Sequence, residues 1–203
     1  MSIILAIETS TGPCSVALWK NGGIAAYLEN SKPVMQSASL IPMIEEALVK
    51  SGTQYQDLSA IACTIGPGSF TGIRVGLAAA RGIAFAAKIK TLGFTTLETL
   101  AFAARVQSNP ITAIINAGKG EVYYQHFASG PFKTVSEACL GKLESIENKG
   151  LVIGNVGVEK ITFPRADALA ELAATRAQFA HPPAPFYIRP PDAKPQQDRP
   201  LGF

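Results

Sequence analysis

The chain has 203 residues, of which 47% are hydrophobic and 16% charged, with a formal net charge of +3. That length supports one large domain or two small lobes, and the low charge suggests apolar surface that a partner covers. The eighteen Lys and Arg are scattered without a run, so charge alone gives no basis for nucleic-acid binding. Cys14, Cys63 and Cys139 form neither a zinc pattern nor a disulfide framework, which favours a reducing, cytoplasmic setting.

In chain order, Ile3–Ile7 is a short apolar, β-branched run that reads as a buried strand. It is cut too soon by Glu8 to serve as a signal peptide. Thr9–Pro13 breaks it. Cys14–Trp19 and Ile24–Leu28 follow as an antiparallel pair across the Asn21-Gly22 hairpin signal. Leu40, Ile41, Ile44, Ala47 and Leu48 mark one face of a helix that Gly52 terminates. Leu58–Thr64 reads as a strand, Gly66–Gly72 as a turn, Ile73–Ala87 as a helix, Thr91–Phe94 as a strand and Leu97–Val106 as a helix. This order implies parallel strands joined by crossover helices. The most apolar stretch, Val75–Ala87, contains Arg81 and is shorter than a membrane span.

From Pro110 the pattern partly restarts. Ile111–Ile115 and Glu121–Phe127 are strands around a turn at Asn116–Gly120. Ser129–Lys149 has no assignable pattern, and Leu151–Gly154 is a weak strand. Pro164 suits the first turn of a helix carrying Leu169, Leu172 and Ala173. The segment from His181 holds seven of the fourteen prolines, so it is expected to lie extended over the surface.

Gly66-Pro67-Gly68-Ser69-Phe70-Thr71-Gly72 follows a strand and opens a helix, a place where backbone amides can meet an anion. Ile73-Arg74 stands where a P-loop requires Lys-Ser/Thr, which excludes that motif and leaves a simple tight turn as the alternative. In the helix behind it, Gly72, Gly76, Ala80 and Ala84 recur every fourth residue as a smooth stripe, and Arg74, Arg81 and Lys88 mark a solvated edge. The stripe fits either packing on the chain's own sheet or docking of another subunit. The loop Glu8-Thr9-Ser10-Thr11-Gly12 lies where actin-like ATPases cradle phosphate. Glu121 is a lone strand carboxylate of the kind that is usually solvated. His126 and His181 are far apart and match no metal spacing, and there is no Gly-x-Ser-x-Gly elbow.

Several segments resemble the TsaB (formerly YeaZ) family: Ile4–Ser10, Cys14–Leu18, Gly66–Arg74, Gly120-Glu121-Val122-Tyr123 and Tyr187–Lys194. The matches run in order along nearly the whole chain, loosely over 129–180. The resemblance implies an α/β fold of the actin/hexokinase-like (ASKHA) class, with two related lobes of mixed sheets flanked by helices. The N-terminal lobe would span 1–108. A shortened C-terminal lobe would span 109–203, with a proline-rich tail at 181–203. It further implies a subunit without catalytic, cofactor or metal residues of its own. Such a subunit pairs with the catalytic paralogue TsaD and the ATPase TsaE to threonylcarbamoylate the adenosine beside the anticodon of tRNA. It meets tRNA only indirectly, forms a homodimer when TsaD is absent and uses no membrane.

The interface so implied comprises Gly72, Arg74, Gly76, Ala80, Arg81 and Ala84, with Leu40 and Met43 from the preceding helix. The paralogue's His-Met-Glu-Gly-His metal motif is matched here by Thr96-Leu97-Glu98-Thr99-Leu100, so neither ligand position holds imidazole. Of its second nucleotide loop only Gly154-Asn155-Val156-Gly157 is left. The rival readings are a glycoprotease-like peptidase, an ATPase or sugar-kinase-like enzyme of the same fold, and a direct tRNA-binding module using Arg74, Arg81, Lys88 and Lys90.

Overall fold

A five-residue strand with every residue buried has to be covered on both faces, and that requirement organises the first half of the chain. The computed structural model describes residues 2–30, 36–105, 110–128, 134–147 and 150–189. The strand is β1 (Ile4–Glu8). β2 (Cys14–Lys20) and β3 (Gly23–Asn30) continue from it as an antiparallel meander, with Asn21 and Gly22 turning at φ 56° and 84°. α1 (Gln36–Lys50) crosses to β4 (Ala60–Thr64), parallel to β1. α2 (Phe70–Ala87) crosses to β5 (Lys90–Phe94), parallel to β4. The sheet order is β3-β2-β1-β4-β5. α3 (Thr96–Ala103) opens on a capping box between Thr95 and Glu98.

The second half repeats the theme. β6 (Ile111–Gly118), β7 (Glu121–Phe127) and β8 (Cys139–Lys142) form an antiparallel meander, and β9 (Leu151–Gly154) pairs parallel with β6. Their order, β8-β7-β6-β9, reproduces β3-β2-β1-β4 in position and direction. A short 3-10 turn at Leu143–Ser145 stands where the first half has α1, and no fifth strand pairs here among the described residues. This is the shortened second lobe.

Side-chain alternation divides the first sheet between two layers. Leu5, Ile7, Val16, Leu18, Ile61 and Cys63 face α1 and α2. Ile4, Ala6, Ala17, Ala60 and Ala62 face the other way, and their small side chains admit α4 (Ala166–Arg176) close to the sheet. Although α4 comes late in the chain, it packs on β1 and β2 through Leu169, Ala170 and Ala173.

Several elements begin elsewhere than the pattern predicts. α2 starts at Phe70, three residues before Ile73, because the Ser69 hydroxyl accepts the Gly72 N–H at 3.2 Å and caps the first turn. At 18 residues it is long and apolar enough to cross a membrane by length and composition alone, but one side of it packs on the sheet. α4 starts at Ala166, after Pro164, and its first N–H donates to Ser15 Oγ at 3.0 Å. β8 lies in the stretch without a pattern. Of that stretch, residues 129–133 and 148–149 lie outside the described residues, as do 106–109 and, in the proline-rich tail, 190–203.

Candidate functional site

The helix behind the glycine-rich turn presents two unlike sides. Gly72, Gly76, Ala80 and Ala84 are all buried on the side that meets the sheet. The Thr9 hydroxyl donates to the Gly72 carbonyl at 2.7 Å, and a Cβ added at Gly76 would collide with that same hydroxyl. The smooth stripe thus lets α2 close onto the β1–β2 loop. Leu40 and Met43 are likewise buried among the residues that α1 and α2 share with the sheet. Of the eight residues expected at an interface, the structure leaves only Arg74 and Arg81 on the surface.

The outward row of α2 is Arg74, Ala78, Arg81 and Phe85, spaced i, i+4, i+7 and i+11. Phe85 is 88% exposed, and Val49, near the end of α1, is 79% exposed. Beside this row a groove of about 520 Å³ runs between α2 and the 3-10 turn Tyr55–Asp57, lined by Tyr55, Gly82, Ile83 and Ala86. The expected set omits Phe85 and Val49. The signal for Phe85 was present, since it lies four residues beyond Arg81 on the edge already marked as solvated.

A second feature is the cleft of about 380 Å³ between the β1–β2 loop, the start of α2 and the β6–β7 turn. Ser69 N–H donates to Ser10 O at 2.7 Å, and Gly68 approaches that same carbonyl too closely to accept a Cβ. Across the cleft, Asn155 Oδ1 accepts the Asn116 N–H at 2.8 Å and Asn116 Oδ1 accepts the Gly118 N–H at 2.7 Å, which fixes the turn. Beneath it Glu8 is fully buried. Its Oε1 accepts the Ser10 N–H and hydroxyl at 2.6 and 2.5 Å, and burial pushes its carboxyl up. Glu8 Oε2 and the hydroxyls of Thr11, Thr64 and Thr96 are buried without partners. The cleft lies at the carboxyl ends of β1 and β4, where open α/β sheets place ligands. Its described lining is hydroxyl, amide, glycine and one alanine, with no Lys or Arg to balance a polyphosphate.

The positions that match the paralogue's metal ligands, Thr96 and Leu100, are buried in α3, and neither side chain is an imidazole. Cys14 and Cys63 are buried, and burial pushes their thiols up to about 11 and about 12, so neither is an activated nucleophile. His126 Nδ1 lies 3.0 Å from the Thr112 hydroxyl, and His181 Nε2 lies 3.2 Å from Glu98. Glu121 is not simply solvated: it pairs with Arg189.

Two mixed sheets that repeat one strand order, flanked by helices and meeting at a cleft, define an actin/hexokinase-like α/β fold. A family model described as TsaD, tRNA N6-adenosine threonylcarbamoyltransferase, matches residues 35–180. The chain is 40% identical over 126 residues to the tRNA threonylcarbamoyladenosine biosynthesis protein TsaB of Escherichia coli K12, covering 61% of this chain and 54% of that relative. The chain thus spans about half the length of this relative. To the protein of the same name from Buchnera aphidicola subsp. Schizaphis graminum it is 33% identical over 171 residues, covering 78% and 80%. A Pseudomonas aeruginosa crystal structure, described as an uncharacterized protein with similarity to peptidase YEAZ, superposes with a TM-score of 0.84 at 25% identity. That superposition covers 93% of this chain and all of the other. The chain belongs to the TsaB (YeaZ) family.

Proposed function

We propose that this chain is a non-catalytic, cytoplasmic docking subunit in the threonylcarbamoylation of tRNA adenosine, binding a TsaD-like paralogue through the outward face of the α1–α2 layer. The observation that carries the reading is Phe85, 88% exposed on a helix whose remaining surface is otherwise mostly small or apolar. An aromatic flanked by Arg81 has the composition of an interface anchor. Thr96 and Leu100 at the ligand positions and the uncharged cleft support a division of labour in which the partner supplies the chemistry. A TsaE-like ATPase would join the larger assembly, tRNA would be met through the partner, and the same face would pair two copies when the paralogue is absent.

The rivals find less support. A peptidase needs a nucleophile activated by a base, and the buried cysteines carry raised thiols with no histidine bonded to them. A sugar kinase or ATPase needs cationic help at the phosphates, which the cleft lining lacks. Direct tRNA binding would draw on Arg74, which instead lies over the Phe70 ring. The test is reconstitution. Modified adenosine in tRNA is expected only when this chain, a TsaD-like paralogue, a TsaE-like ATPase, the threonylcarbamoyl donor and ATP are all present. Equal yield without this chain would reject the proposal.

A further inference from the structure

The last described segment, Ala180–Arg189, crosses from one lobe to the other and makes a specific contact at each step. His181 exchanges two backbone hydrogen bonds with Gly93, at 2.8 and 3.1 Å, on the edge of β5. Phe186 N–H then donates to Ile65 O at 2.7 Å, just beyond β4. Two glycines clear this path: a Cβ at Gly66 would stand 2.6 Å from Phe186 O, and one at Gly93 would stand 3.0 Å from His181 O. Tyr187 next stacks on Phe70 in the first turn of α2, with ring centroids 4.9 Å apart, and its hydroxyl accepts from Arg74 Nε at 3.3 Å. Two residues on, Arg189 donates to the Ala117 carbonyl at 2.9 Å and to the Glu121 carboxylate. Ala117 and Glu121 bracket the β6–β7 turn, which is one wall of the cleft.

We propose that Ala180–Arg189 is a clasp that fastens the cleft wall of the second lobe to β5 and to the first turn of α2 in the first lobe. Its fixed points are the Gly93–His181 pair, the Tyr187–Phe70 stack and the Arg189 fork. Pro182, Pro183 and Pro185 restrict the free segment and so lower the entropy lost on docking. The forked contact is charge-assisted and partly buried, the strong kind of hydrogen bond, and it is the clasp's only polar hold on the second lobe among the described residues. Undoing it therefore loosens the β6–β7 turn, which keeps its Asn155–Asn116 and Asn116–Gly118 bonds, while both sheets stay folded, and the cleft wall moves more freely from that side. The clasp stands whether or not α2 is a docking helix.

Hydrogen–deuterium exchange of the full chain tests this. Arg189→Gln is expected to speed exchange across 116–122 by roughly tenfold or more, the loss expected for a charge-assisted pair, with β1 and β4 unchanged. Tyr187→Ala is expected to speed the same segment and, in addition, residues 73–75 of α2. Unchanged exchange at 116–122 in Arg189→Gln overturns the clasp, and so does an increase spread evenly over both sheets. If Arg189→Gln fails to fold, Glu121→Gln keeps the Ala117 bond and is read in the same way. Failure of both to fold also overturns the clasp, because the contact would then belong to the global fold.

Discussion

Gly76 and Gly82 sit on one helix with similar sequence surroundings, yet alanine at the two positions is expected to act in opposite directions. At Gly76 the new methyl meets the hydroxyl of Thr9, a buried, β-branched residue with little freedom at χ1. Thr9 must swing away, breaking its bond to Gly72 O and leaving a buried hydroxyl unpaired at a cost of about 1–3 kcal/mol. Overpacking against the sheet adds about 1–3 kcal/mol, and the better helix propensity of alanine returns about 1 kcal/mol. The net is a loss of roughly 1–5 kcal/mol, seen as a melting temperature lower by about 2–4 °C per kcal/mol for a chain of this size. At Gly82 nothing lies within 4 Å of the added methyl, so only the propensity gain of about 1 kcal/mol remains and the melting temperature rises. Thermal unfolding followed by circular dichroism gives both signs. If Gly76→Ala stabilises the chain as Gly82→Ala does, the stripe faces outward and the reading of α2 is wrong.

Three further outcomes follow from individual contacts. Ser15→Ala leaves the buried Ala166 N–H without an acceptor and should lower stability by about 1–2 kcal/mol in urea unfolding, while Ser15→Thr keeps the acceptor and loses less. Gly12→Ala places a methyl 2.6 Å from the Phe163 ring at φ 67° and should cost about 2 kcal/mol or more, read as a fall in melting temperature. The hydrogen bond to Glu98 raises the His181 pKa above 6.5, so the protonated ring favours the fold. Its contribution is complete below the unfolded pKa and fades as pH rises through the folded one. His181→Gln should therefore flatten the dependence of melting temperature on pH upward from about 6, and an unchanged slope would remove His181 from the account.

Much of the fold is legible because its signals are local. Ile4–Ile7, the Asn21-Gly22 turn and the 40–48 periodicity each specify an element within a few residues. Less legible is whatever depends on distant partners. A helical wheel distinguishes the smooth side of α2 from the arginine edge, but which side meets the sheet is decided by Thr9, more than sixty residues away in sequence from Gly72. The start of α4 is displaced from Pro164 because its first N–H finds Ser15 on β2. The pairing of Glu121 with Arg189 spans 68 positions, and nothing near either residue announces it. β8 is hidden because three half-covered residues and an exposed lysine, Cys-Leu-Gly-Lys, carry no alternation strong enough to read. Phe85 was within reach of pattern alone, since it continues the exposed edge that Arg74 and Arg81 mark.

Whether the outward face of α2 binds the paralogue, as proposed, is tested most directly by Phe85→Glu in titration calorimetry with a TsaD-like partner. Phe85 is so exposed that the free chain should keep its circular dichroism spectrum and melting temperature. Loss of a buried aromatic anchor is expected to weaken binding by at least about 30-fold, the equivalent of roughly 2 kcal/mol. Binding at wild-type affinity by a fully folded Phe85→Glu chain would contradict the account.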